Sequence, residues 1–312
     1  MKILKLGLIL FLFMFSLSVQ AQLICGKNQD DCEGHSDRNP SAPAFPSNNS
    51  SIHLNPSAVP TDNVFGLETI YFKGFDFVIV KGLGRVGAAA SPSNNEETFF
   101  GVPAFESGND YLSRMQAGDK YQSQKVTLAT GFSILDNRQS GLSRFHVEIG
   151  MMGKYDRLTS HVLPGAGVSA IFGPLTVGYA MSEDEFVTNS TTVPPNQVFG
   201  FSTETLSAGI YLSSFAIDYS LMKIYAPGAG DFTVTLVTGS LFLKRWIFTL
   251  AGRQEDSGRP IYDPSTGTIV QQQIKNAVFG GVQFAIMKHL MIDAFYDYYL
   301  LGDISLGATL FF

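Results

Sequence analysis

Asp303-Ile304-Ser305-Leu306-Gly307-Ala308-Thr309-Leu310-Phe311-Phe312, the last ten residues of the chain, alternate in character with a period of two. Ile304, Leu306, Ala308, Leu310 and Phe312 share one face, and Asp303, Ser305, Gly307, Thr309 and Phe311 share the other. Alternation of this kind puts each set on one side of a β-strand. A strand of about ten residues with one wholly apolar face has the length and pattern needed to cross a bilayer as a stave of a closed barrel. The stretch therefore predicts an all-β fold, an antiparallel transmembrane β-barrel of about 14 strands (12 to 14) behind an N-terminal periplasmic or plug-like extension.

Composition agrees with that class. Of 312 residues, 45% are hydrophobic and only 15% are charged, yet beyond the N-terminus no apolar run approaches a spanning helix of roughly 18–20 residues. A helical membrane protein is excluded. The net charge of −6 argues against nucleic acid as a partner, which calls for a basic patch.

The N-terminus reads as an export signal. Lys2 and Lys5 precede the apolar run Leu6–Val19, and Val19-Gln20-Ala21 fits a small-residue cleavage site, so residues 1–21 are a signal peptide and the mature chain begins at Gln22. Acylation at Cys25 is disfavoured because Ile24 before it is not small. Residues 22–63, rich in Pro, Ser, Asn and Asp, form an extension without sustained periodicity. It holds both cysteines, Cys25 and Cys32, which in an oxidising periplasm are expected to close a small disulfide loop. A metal site is the weaker reading, since His35 alone adds too few ligands. No cofactor motif is present.

From Val64 the pattern becomes fourteen alternating or apolar runs: 64–73, 75–81, 84–91, 123–135, 142–155, 165–173, 174–182, 203–213, 214–225, 231–243, 245–255, 272–287, 290–301 and 303–312. Residues 64–312 thus form the barrel. Outer-membrane barrels have short periplasmic turns and longer outside loops. Gly82-Leu83, Asp136–Gly141, Gly173-Pro174, Ser213-Ser214, Lys244-Arg245 and Lys288-His289 supply the short set. Pro92–Gln122, Asp156–Pro164, Glu183–Ser202 and Asp256–Gln271 supply the long one. Gly82–Gly87 contains G-x-G-R-V-G but leads into a strand, which makes it a hairpin turn and not a dinucleotide site.

Sidedness is apolar-out and polar-in. Leu206, Ala208, Ile210 and Leu212 oppose Ser207, Gly209 and Tyr211, and Phe215, Ile217, Tyr219 and Leu221 oppose Asp218 and Ser220. The same parity sends Glu68, Lys125, Arg144, His146, Glu148, Asp218, Arg253, Glu255, Asp293 and Asp297 to the lumen, with Met222, Phe279, Met291 and Phe295 among them. Charges in an interior must be paired or solvated. They form either a polar network that fills the lumen or a path for small amphipathic solutes. Tyr71, Phe72, Tyr225, Trp246, Tyr298 and Tyr299 suit interfacial girdles. A secreted β-sandwich also alternates, but the signal peptide, the loop asymmetry and the terminal Phe312 favour the membrane.

Catalysis is not expected. His146 and Glu148 point the same way and satisfy the base-and-orienter part of a triad, but Ser143 has the opposite parity and no serine has a G-x-S-x-G context. The acidic and aromatic loop with Glu96, Glu97, Phe99, Phe100, Phe105, Glu106 and Asp110 matches no calcium-loop spacing.

Two resemblances add to this reading. The terminal strand, with Leu306, Ala308 and Leu310 before an aromatic Phe312, resembles the C-terminal signal of bacterial outer-membrane β-barrels. That implies assembly by the barrel-assembly machinery among the lipids of a Gram-negative outer membrane. Asn55-Pro56-Ser57-Ala58, just before the first strand, resembles the N-P-A motif that follows the N-terminal hatch of the FadL-type long-chain fatty-acid transporters. It implies passive transport of small amphipathic or hydrophobic solutes. A Pro-directed turn into the sheet is the other reading of these four residues. The rival function is a closed structural or surface-binding barrel whose outside loops contact a partner. Oligomeric state is not legible.

Overall fold

The computed structural model describes residues 52, 55–59, 61, 63–71, 75–93, 125–137, 145–157, 159–188, 197–212, 214–226, 230–256, 260–263, 268–271, 276–287, 289–297 and 304–312. The expected signal peptide, Cys25, Cys32 and all of residues 94–124 lie outside them. So do Ser143 and Arg144.

Among the described residues, sixteen strands follow one another: β1 (Phe65–Tyr71), β2 (Phe75–Gly82), β3 (Val86–Ser93), β4 (Lys125–Asn137), β5 (Phe145–Asp156), β6 (Val162–Phe172), β7 (Leu175–Thr188), β8 (Gln197–Tyr211), β9 (Phe215–Ala226), β10 (Gly230–Leu243), β11 (Trp246–Glu255), β12 (Pro260–Asp263), β13 (Thr268–Gln271), β14 (Asn276–Met287), β15 (Leu290–Asp297) and β16 (Ile304–Phe311). Fourteen close into one antiparallel barrel, each paired with its neighbour in the chain, and β16 returns to β1. β12 and β13 form a separate two-stranded sheet between β11 and β14.

Closure is made by the stretch that predicted the fold. Glu68 pairs with Thr309 and Tyr71 with Leu306. The last rung is double, with Phe312 N–H donating to Phe65 O at 2.8 Å and Phe65 N–H to Phe312 O at 3.0 Å. With every strand paired on both sides, the sheet has no open edge to satisfy in lipid.

The two faces differ as the alternation predicts. Leu128, Met151, Leu175, Met181, Leu206, Leu250, Ile304 and Leu306 are exposed on the outside, whereas Thr127, Ser169, Thr176, Ser207, Asp218, Thr249 and Thr309 are buried within. This inverts the soluble pattern, in which contiguous exposed apolar surface is rare. Trp246 stands on the outside where β11 begins, its ring centroid 4.3 Å from that of Phe284. Gly84 (φ 103) and Gly173 (φ 58) make two tight turns at the short-turn end, in a left-handed conformation that side chains resist.

Two connections are shorter than the sequence predicts, a third contains a hairpin of its own, and a fourth begins two residues later. β7 and β8 pair as far as Thr188 and Gln197, so most of Glu183–Ser202 is ladder and not loop. Pairing uses the backbone, and a stretch beyond the apolar band needs no apolar face to remain in register. Asp156 ends β5 and Val162 begins β6. Asp256–Gln271 includes β12 and β13, which pair with each other, Asp263 opposite Thr268. β3 runs on to Ser93. Its Pro92, which has no N–H to donate, lies beyond Ile79 and Ala90, the last β2–β3 pair, where Ser91 Oγ donates to Phe77 O instead.

Candidate functional site: the barrel interior

The chain ahead of β1 enters the barrel. Pro56–Ala58 is a single 3-10 turn, pre-set by the fixed φ of proline and capped by Asn55, whose Oδ1 accepts from Ser57 N–H at 2.9 Å and from Ser57 Oγ at 2.7 Å. Asn55, Ser57, Val59 and Ile52 are all fully buried. Ile52 and Val59 join Val78, Val80, Ala89, Ala129 and Met152 of β2–β5 in one apolar cluster. Complete burial of a Val or Ile side chain contributes about 1.5–3 kcal/mol, so these two residues hold the segment more firmly than its few polar contacts. The N-P-S-A stretch is thus a proline-directed turn seated against the inner wall.

The seat is a row of glycines that only the register reveals. Gly87 pairs with Gly131, Gly131 with Gly150, and Gly150 with Gly167, a line across β3–β6. A Cβ on Gly131 would lie 2.8 Å from Val59 O, one on Gly150 would lie 2.1 Å from the Pro56 carbonyl carbon, and one on Gly167 would lie 2.0 Å from Asn55 Oδ1. Backbone approaches backbone at Gly131 and Gly150, the Asn55 side chain fills the space over Gly167, and no further side chain fits between.

Three polar groupings line the same interior. On β5, His146 Nε2 lies 2.9 Å from Glu148 Oε1, and the same oxygen accepts from Thr61 Oγ1 of the inserted segment at 2.8 Å. Glu148 therefore ties the plug to the wall, and His146 orients it. On β8 and β9, Tyr211 OH donates to Asp218 Oδ1 at 2.6 Å, and Asp218 lies over Gly209, its cross-strand partner. Near the long-loop end, Lys125 and Lys154 grip the two oxygens of Asp184 at 2.7 and 2.6 Å. Lys125 Nζ also donates to Glu185 O at 2.5 Å. Beside them, Glu185 accepts from Thr159 and meets His161 Nδ1 at 2.9 Å across the β5–β6 turn. That hydrogen bond and the charge of Glu185 raise the pKa of the exposed His161 imidazole above its ordinary value.

Of the residues assigned to the lumen from sequence, Glu68, Lys125, His146, Asp218, Arg253 and Asp293 are buried, and Glu148 is nearly so. Met222, Met291 and Phe295 share that interior. Arg144 is outside the described residues, and the side chains of Glu255, Phe279 and Asp297 are not described. Reasoning from sequence missed Lys154 and Asp184. Lys154 has the parity of His146 and Glu148, a usable signal, but Asp184 was hidden by ending its strand at 182.

A closed antiparallel barrel with an apolar exterior, a polar interior and its N-terminal segment inside is a barrel of the bacterial outer-membrane class. No protein-family model matches the chain, and no curated protein matches its sequence. Among solved structures, the toluene transporter TbuX of Ralstonia pickettii is similar with a TM-score of 0.45 and 10% identity, over 89% of this chain and 98% of that one. OmpT of Vibrio cholerae has a TM-score of 0.39 and 12% identity, over 80% and 95%. Omp33 of Acinetobacter baumannii has a TM-score of 0.38 and 9% identity, over 80% and 96%. At these values the likeness is one of barrel architecture, and cargo has to be argued from this chain's own residues.

Proposed function

We propose that the protein is a passive outer-membrane channel of a Gram-negative bacterium for small amphipathic or hydrophobic solutes, with the 52–61 segment as its internal plug. The observation that carries the reading is the mixed inner wall. Charged groups such as Lys125, Arg253 and Asp293 share it with Met222, Met291 and Phe295. An amphipathic solute needs both surfaces, whereas a barrel that serves only as a scaffold needs neither a glycine-built seat nor a plug held in it. No reaction enters this reading: the His146–Glu148 pair is engaged with Thr61 of the plug and serves its attachment.

The test is functional reconstitution. The folded protein in planar bilayers is expected to give conductance steps, and in liposomes to pass small amphipathic solutes faster than protein-free vesicles do. Absence of both sinks the channel reading and leaves the closed, surface-binding barrel.

Assembly follows from the C-terminal strand. Phe312 is exposed, stands 6.1 Å from the Phe65 ring, and completes the closing double rung. Deletion of Phe312 is expected to lower outer-membrane levels strongly, because it removes one rung of closure and leaves Phe311, which has the opposite parity to Leu306, Ala308 and Leu310, as the last residue. Flux per assembled molecule should change little. Normal levels of the deleted protein in outer-membrane fractions would argue against recognition by the assembly machinery.

A further inference from the structure

Where the wall stops, one hairpin continues. The β6–β7 ladder ends at Gly165 and Ser182 and the β8–β9 ladder at Ser202 and Tyr225, yet β7 and β8 stay paired through Thr188 and Gln197. Residues 183–188 with 197–201 are thus a two-stranded ribbon that pairs with no third strand among the described residues. The break is written in β6. Asp156 N–H donates to His161 O at 3.0 Å, so the backbone groups of 161, 163 and 165 face β5 and those of 162 and 164 face β7. Residue 164 is proline, with no N–H to offer Glu183.

The ribbon does not stand upright. Lys125 lies on β4, three strands from β7, about 14 Å along the wall and more than a lysine side chain spans. Its Nζ nevertheless donates to the backbone oxygen of Glu185 at 2.5 Å and meets Asp184 Oδ1 at 2.7 Å, while Lys154 of β5 holds Oδ2 at 2.6 Å. The ribbon therefore leans inward over β6 and β5. Its other side rests on the β5–β6 turn, where Glu185 meets Thr159 and His161. The side chain of Asp184 is 12% exposed and that of Glu185 4%, and Phe201, opposite Asp184 on the ribbon, is buried too. Consecutive acidic residues at a rim would be solvated if the ribbon pointed away from the barrel.

We propose that the outer part of the β7–β8 hairpin is a lid over the mouth at the long-loop end, latched by Asp184 on Lys125 and Lys154. This deepens the proposed function and rests on its reading of the lumen as a solute path. A buried ion pair suits a latch that must open. Charges taken out of water lose hydration that offsets much of their attraction, and they regain it when they separate. An apolar latch would instead expose surface that water disfavours. Pro164 keeps the ribbon out of the β6 ladder, so the lid can swing without unpairing the barrel.

Ser182→Cys, in a background with Cys25 and Cys32 replaced by serine, tests the lid from beneath. Ser182 faces inward one position below Asp184 and is buried with the ribbon in place. In the folded full-length protein in an uncharged detergent, an impermeant maleimide should label this thiol slowly, and at least tenfold faster once Asp184→Ala is added. Labelling of Ser57→Cys, under the plug, should not change. Fast labelling of Ser182→Cys before the latch is cut overturns the lid, as does an equal rate with and without Asp184→Ala. An equal rise at Ser57→Cys also overturns it, because the wall itself would then have loosened. If Asp184→Ala fails to fold, judged by heat-modifiable migration, unchanged labelling in both Lys125→Gln and Lys154→Gln overturns it. Because labelling is read without conduction, faster labelling with no conductance would keep the lid and remove the channel. Conductance with unchanged labelling would do the reverse.

Discussion

Leu250→Arg is expected to destabilise the barrel in lipid vesicles by about 2–4 kcal/mol, the cost of a cation at mid-depth on the lipid face of a transmembrane barrel. Leu250 lies on β11, four residues above Trp246, and is 65% exposed. In a water-soluble barrel, a residue this exposed would accept arginine within about 0.5 kcal/mol. The control is Leu83→Arg. Leu83 is 70% exposed but lies in the β2–β3 turn, outside the spanning strands, and its replacement should cost almost nothing. Denaturant titration followed by heat-modifiable migration reads both. Equal, small effects at the two positions would remove the protein from the membrane, because exposure alone would then explain them.

Gly150→Leu is expected to expel the plug while leaving the barrel closed. The new Cβ would fall 2.1 Å from the Pro56 carbonyl carbon and 2.3 Å from Ser57 N, backbone atoms that no rotamer change can move away. The segment then loses the burial of Ile52 and Val59, about 1.5–3 kcal/mol each, and has no other seat of equal fit. Ser57→Cys, in a background with Cys25 and Cys32 replaced by serine, reports the outcome. Its side chain is fully buried when seated, so an impermeant maleimide should label it slowly, and many times faster once Gly150→Leu is added. Solute flux should rise in parallel. Gly239→Leu supplies the control, since a Cβ there meets nothing within 4 Å. Unchanged labelling in Gly150→Leu would show that the glycine row does not hold the segment.

Much of the architecture was legible because each barrel strand announces itself locally. In β16, Leu306 and Thr309 have opposite parity and opposite environments, and the two-residue period alone assigns them. All fourteen staves, the tight turns at Leu83 and at Gly173-Pro174, and the burial of His146 beside Glu148 followed from that period. Legibility failed where the period carries no apolar signal. Three consecutive acidic residues, Glu183-Asp184-Glu185, interrupt the alternation in β7, so Asp184 was assigned to a loop although it lies between Lys125 and Lys154. The short hairpin of Ile261 and Val270 failed for a related reason, since four-residue strands offer too few alternations to count.

The sequence by itself determined the class of fold and the direction of each strand's faces, since a strand in lipid must turn its apolar residues outward and pair every backbone group. It did not determine which residues meet. Gly87, Gly131, Gly150 and Gly167 are scattered over eighty residues and become one groove only when four strands take their register. Parity is a property of each strand alone, whereas register is a property of pairs. The seat of the plug belongs to the closed barrel and to no single segment of the chain.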